Sequence, residues 1–236
     1  MSVDPLVLLP DLDRATGRLL ATARTLDDRA LAAPSLLAGW TRGHVLSHVA
    51  RNADAAVRLL TSARTGDRRP QYASGSQRDA DIEAGAGRPA TAHVTDLATS
   101  AARIDEAVAQ MAPESWAAPV DWLSGRSTPA AYVMWARLRE VEVHHVDLDA
   151  GYAPGDWPAP FVHRLLHELA ADLADAMVAA RLRATDLDHE LTVGADPAVT
   201  VSGPGHAIAA WLAGRRVDTG LTVAPTGPLP TVPSWR

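Results

Sequence analysis

From Thr41 to Thr65 the chain runs TRGHVLSHVARNADAAVRLLTSART, with Val45, Val49, Ala53, Ala56 and Leu60 recurring every three or four residues. That period predicts a helix with one apolar stripe, and Thr41 is a suitable N-cap for it. Three further segments share the pattern. Asp4-Pro5 supplies a cap and a first helical position for a helix reaching about Leu31, and ATAHVTDLATSAARIDEAVAQM reads as another. Thr128-Pro129 repeats the cap-then-proline signal ahead of AAYVMWARLREVEVHHVDLDAGY, which Gly151 and Pro154 close. A shorter helix fits around Arg78 to Glu83, inside a Gly/Ser-rich stretch. Four long helices, each with one apolar face, must bury those faces against one another, which predicts a four-helix bundle over residues 1–152.

Residues 153–236 read differently. FVHRLLHELAADLADAMVAARLR is helical, DHELTVG and AVTVSGP alternate in strand fashion, HAIAAWLAGRR is a short helix and GLTVAP another strand. The expectation is a mainly α protein: an N-terminal bundle followed by a small C-terminal α+β domain.

Composition narrows the chemistry. There is no cysteine, so disulfides, thiolate ligands, Fe–S clusters and a cysteine nucleophile are excluded together. All 22 cationic side chains are arginine, which also removes Schiff-base chemistry. A net charge of −6 does not suit a broad nucleic-acid surface. No segment approaches the ~20 apolar residues of a membrane span, and no basic stretch precedes the first apolar run. A cytoplasmic protein with a small-molecule partner is expected, and the Ala/Arg/Pro bias suits a GC-rich bacterial genome.

The most chemically loaded stretch is REVEVHHVDLDA, Arg139 to Ala150. Glu140 and His144 are one helical turn apart on one face, suitably spaced to chelate one ion. A second i, i+4 pair, His44 and His48, lies near the start of the Thr41 helix, and either histidine would complete a two-histidine, one-carboxylate set with a fourth position open. The spacing leaves that choice open, and leaves hydrogen-bonded core histidines as the plainer alternative. His145 projects about 100° from His144 and cannot join the same site. Glu142 is expected to be solvated, and Asp147 and Asp149 to make local hydrogen bonds near the helix end.

LLAGWTRGHVLSHVARNADA followed by WARLREVEVHHVDL resembles the mycothiol-dependent maleylpyruvate isomerase family, and the resemblance extends through YASGSQRDADIEAG and AAWLAGRR. It implies a DinB-like metal-binding bundle with a sterol-carrier-like C-terminal domain, in an actinobacterial enzyme of aromatic catabolism. The implied zinc ligands are His48, Glu140 and His144. Arg78 and Arg215 are the implied contacts to substrate or thiol cofactor, with Arg216 adjacent to the latter. The implied reaction is mycothiol-dependent conversion of maleylpyruvate to fumarylpyruvate, in which a thiolate adds reversibly to the cis double bond. Three alternatives stand beside it. A mycothiol S-transferase would use the same site, and a non-catalytic zinc-binding regulatory module would use the same bundle without its usual cysteines. An Fe(II) oxygenase would use the same ligand types. A monomer is compatible with all of these.

Overall fold

The structure, a computed structural model, describes residues 4–175, 179–187, 189–215 and 220–233. The chain divides into two compact units, Met1–Tyr152 and Ala153–Arg236.

In the first unit, Asp4 accepts a hydrogen bond from the Leu6 N–H at 3.0 Å and starts a 3₁₀ turn that runs into α1 (Leu9–Ala23). The helix expected to reach Leu31 is interrupted. The carboxylate of Asp27 accepts from the Ala30 N–H at 2.7 Å and caps a separate short helix, α2 (Asp28–Ala32). Then come α3 (Arg42–Thr65), α4 (Gly75–Ala86) and α5 (Ala90–Ala109). β1 (Pro119–Asp121) and β2 (Ser127–Pro129) form an antiparallel hairpin ahead of α6 (Tyr132–Asp147). Thr128 and Pro129 therefore lie in a strand and do not cap α6. The Thr128 hydroxyl instead accepts from the Trp122 indole at 2.8 Å.

The four long helices close on one another: α3 packs against α5 and α6, and α1 packs against the same two. Leu12, Ala15, Leu19 and Ala23 of α1 and the Val45, Val49, Ala53, Ala56, Leu60 stripe of α3 are buried. They meet Leu97, Ile104 and Val108 of α5 and the apolar residues of α6 in one core. Each fully buried leucine or valine contributes roughly 1.5–3 kcal/mol.

Two buried or half-buried arginines fix α3 against α6. Arg42, the first residue of α3, donates to the carbonyls of Leu148 at 2.6 Å and Asp149 at 2.8 Å, satisfying acceptors that the end of α6 leaves open. Arg137 of α6 donates to the Val49 carbonyl at 2.8 Å and to Asn52 Oδ1 at 2.9 Å. The start of α3 is thus held beside the end of α6. α4 lies close along α3, because Gly43 faces the Ala86 carbonyl and Gly85 faces the Ser47 side chain without intervening Cβ atoms.

The second unit contains α7 (Ala159–Asp172), β3 (Ala180–Ala184), β4 (His189–Val193), β5 (Val199–Gly203), α8 (Gly205–Leu212) and β6 (Thr222–Ala224). Its sheet has the order β4-β3-β5-β6, with β3 antiparallel to β4 and parallel to β5. The helix expected to continue to Arg183 ends at Asp172 instead. Ala180, Leu182 and Ala184 face inward while Arg181 and Arg183 face out, a period of two that belongs to a strand. Among the described residues, no helix is long and apolar enough to cross a membrane.

Candidate metal centre

His48 lies on the second turn of α3, whose start is fixed by a capping box. The Thr41 hydroxyl accepts from the His44 N–H at 3.3 Å, and His44 Nδ1 accepts from the Thr41 N–H at 3.2 Å. His44 Nε2 is 3.0 Å from Glu83 on α4, so both ring nitrogens of His44 are engaged away from α6. One turn further along, His48 turns toward α6. Its Nε2 is 2.9 Å from Glu140 Oε2 and 3.0 Å from His144 Nε2, and His144 Nε2 is 3.4 Å from the same carboxylate oxygen. The structure thus brings His48, Glu140 and His144 together, with one donor atom from each within 4.8 Å of the others.

The surroundings set the protonation states. Burial pushes the His48 imidazole down to about 4, aided by the charge of His144. Burial alone would raise the Glu140 carboxyl, but hydrogen bonds from His144 and His48 outweigh it and hold the group well below its ordinary value. Burial likewise disfavours charge on His144, yet its hydrogen bonds to Asp147 and Glu140 keep its pKa above the ordinary one. Asp147, fully buried, sits 2.8 Å from His144 Nδ1. That carboxylate holds the proton on Nδ1 and leaves Nε2 directed at His48 and Glu140, the arrangement that orients a metal-binding imidazole. Two imidazole nitrogens and one carboxylate oxygen from facing helices, with an orienting carboxylate behind one ring, fit a divalent zinc-type ion.

Other groups border the three. Arg78, on α4, brings Nη2 to 3.3 Å from His48 Nδ1. The Trp40 ring meets His48 edge-on, with centroids 5.6 Å apart, and supplies an apolar wall. Tyr72 is buried nearby, and burial together with the charge of Glu140 pushes its phenol up to about 12. Arg215 lies just beyond α8 in the second unit, where its Nη1 donates to the Ala213 carbonyl at 2.7 Å. Arg216 lies outside the described residues.

One neighbour differs from expectation. Glu142 is buried, not solvated: it accepts from Arg18 at 2.6 Å and from the Tyr152 hydroxyl at 2.5 Å. α6 is enclosed on more than one side, so a carboxylate pointing away from His48 meets α1 and not water. His145, also buried, faces that same network, stacked on Tyr152 and 2.7 Å from the Thr22 hydroxyl. Sequence reasoning did not single out Trp40, Tyr72 or Arg137. Trp40 immediately precedes the Thr41 cap and was open to that inference. Tyr72 and Arg137 have no periodic signal beyond their neighbours.

Residues 12–149 match the family described as the mycothiol maleylpyruvate isomerase N-terminal domain, and residues 156–234 match the C-terminal domain of the same family. Among solved structures, the chain is similar to the crystal structure of the mycothiol-dependent maleylpyruvate isomerase. The two are 31% identical with a TM-score of 0.91, over 99% of this chain and 98% of that one. The crystal structure of a histidine-to-alanine mutant of that enzyme is 30% identical with a TM-score of 0.89 over the same shares. Comparison with curated proteins gives no match.

Proposed function

The chain belongs to the mycothiol-dependent maleylpyruvate isomerase family, and from that membership we propose that it binds zinc through His48, Glu140 and His144 and uses mycothiol to convert maleylpyruvate to fumarylpyruvate. The observation that carries the proposal is the convergence of these three donors from α3 and α6, with Asp147 fixing the ring of His144. When bound, the ion favours thiolate over thiol at neutral pH, and the thiol supplies a nucleophile whose reversible addition makes the cis double bond a rotatable single bond.

The protein's own groups prepare that chemistry. His48, neutral at physiological pH because it is buried, adds no positive charge beside a divalent ion. Glu140, held ionised, offsets part of the charge of a divalent ion. Trp40 sets an apolar ring against His48 on one side of the centre, where lower local polarity strengthens charge interactions. Arg78 is placed to bind a substrate carboxylate and to stabilise negative charge developing beside it. Arg215 is assigned to substrate or thiol by resemblance alone. The C-terminal unit is proposed to be the sterol-carrier-like domain of the family and the N-terminal unit its DinB-like bundle.

Isomerisation should be measured for the wild type, His48→Ala and Glu140→Ala, each with and without mycothiol. Activity is expected only for the wild type with the thiol. Isomerisation that persisted without thiol, or survived both substitutions, would overturn the proposal. A thioether product without fumarylpyruvate would make the chain a transferase. Elemental analysis of protein purified without added metal distinguishes zinc from iron.

A further inference from the structure

The second unit carries a histidine cluster for which the proposed isomerisation has no use. His163 and His167 are four residues apart on the exposed side of α7, whose other side buries Phe161, Val162, Leu165, Leu166 and Leu169. That spacing sets the two rings one turn apart on the same face. β4 packs against α7 and begins with His189, which brings a third imidazole to the pair. The three ring centroids are 4.7 to 4.8 Å apart in every pairing. His189 Nε2 is 2.9 Å from His167 Nε2, and one nitrogen from each ring lies within 4.8 Å of the others.

Three imidazoles at this separation cannot all carry protons on both nitrogens. Two Nε2 atoms at hydrogen-bond distance require one lone pair between them. The His167–His189 contact therefore includes at least one ring nitrogen with a free lone pair. The 2.9 Å between the His167 and His189 nitrogens is close to the ~3.3 Å that separates ligands around a tetrahedral ion with metal–nitrogen bonds of about 2.0–2.1 Å. An all-imidazole set does not suit Mg²⁺ or Ca²⁺, which take oxygen ligands. It suits zinc and its neighbours in the first transition row, Cu²⁺ most tightly.

We propose that His163, His167 and His189 form a second metal site, which takes a divalent transition-metal ion and clamps α7 to β4. The clamp closes a loop across 22 residues of sequence, and it leaves a coordination position for water, because two of the three rings are exposed.

Zn²⁺ alone should be titrated by equilibrium dialysis into four chains: wild type, His163→Ala/His167→Ala, His48→Ala/Glu140→Ala, and the combination of both pairs. Two, one, one and no bound ions are expected. If the bundle centre holds no metal, the series becomes one, none, one and none, so failure of the proposed function is distinguishable. Absence of Zn²⁺ from the His48→Ala/Glu140→Ala chain would overturn the second site. So would wild-type stoichiometry in the His163→Ala/His167→Ala chain, whose exposed positions leave the core untouched and whose folding circular dichroism verifies. A single His189→Ala change in the His48→Ala/Glu140→Ala background tests the clamp. It should weaken Zn²⁺ binding at least about tenfold, consistent with loss of one ligand. Unchanged binding would leave only the helical pair and overturn the link to β4.

Discussion

His144 Nδ1 and Asp147 Oδ2 are 2.8 Å apart across one turn of α6, with the carboxylate fully buried. A buried carboxylate in that position fixes both the tautomer and the tilt of the ring, so the opposite nitrogen is oriented before any ion arrives. Asp147→Ala should lower zinc affinity roughly 10–100-fold, measured by competition with a chromogenic chelator. Asp149→Ala, two residues on and exposed, should leave affinity unchanged. Equal effects from both substitutions would show that the end of α6, and not the His144 contact, governs binding.

Arg78 lies beside His48 without being one of the three converging donors. If it binds a substrate carboxylate, Arg78→Ala removes a charge-assisted pair of about 1.5–3 kcal/mol, a loss of roughly 10–100-fold in kcat/KM. A rise in KM at constant kcat identifies ground-state binding, whereas an equal fall in kcat identifies charge stabilised only in the transition state. Arg78→Lys should recover part of the loss, since it keeps the charge and gives up the planar fork. Steady-state kinetics on the three proteins, with zinc content verified, makes the comparison.

Legibility in the sequence followed the physics of each signal. The bundle was readable because its helices are long and their apolar residues repeat with a helical period, as the wholly buried Val45–Leu60 stripe shows. The pairing of Glu140 with His144 was readable because both lie on one helix. The choice of His48 over His44 rested on resemblance, because spacing cannot tell which turn of α3 faces α6. His44 is engaged instead with Thr41 and Glu83. Glu142 reads as solvated because a charged residue in a single helix carries no mark of the Arg18 and Tyr152 that enclose it from other elements. The end of α7 is not legible because ARLR is compatible with either period until its sheet partners are known.

Gly43 sets the approach of α4 to α3. A Cβ there would run into the carbonyl oxygen of Ala86 and stand 3.2 Å from its carbon. An alanine favours a helix interior by about 1 kcal/mol over glycine, but a backbone carbonyl cannot rotate away as a side chain would. Gly43→Ala should therefore destabilise, with overpacking of about 1–3 kcal/mol and a fall in Tm of roughly 2–12 °C. Gly85→Ala meets the Ser47 side chain instead and should be milder. Thermal unfolding of both variants tests the order, and a more stable Gly43→Ala would show that α4 can shift without loss.

His93, on α5, is buried with Nε2 3.3 Å from the Ala86 carbonyl, and burial holds its pKa below the ordinary value despite that hydrogen bond. The unfolded chain protonates this imidazole near pH 6.5, whereas the folded chain does so only at lower pH. Between those values the unfolded state binds more protons, so stability is fully present above about pH 6.5 and declines as the solution is acidified. His93→Gln keeps a donor for Ala86 and removes the titration. The stability difference between wild type and variant should shift against the wild type below pH 6.5. The slope should be at most about 1.4 kcal/mol per pH unit, levelling off below the folded-state pKa. His48 and His144 titrate in both proteins and cancel from the difference. Urea unfolding of the two metal-free proteins from pH 7.5 to 5 measures it, and a difference independent of pH would show that His93 takes up its proton without unfolding.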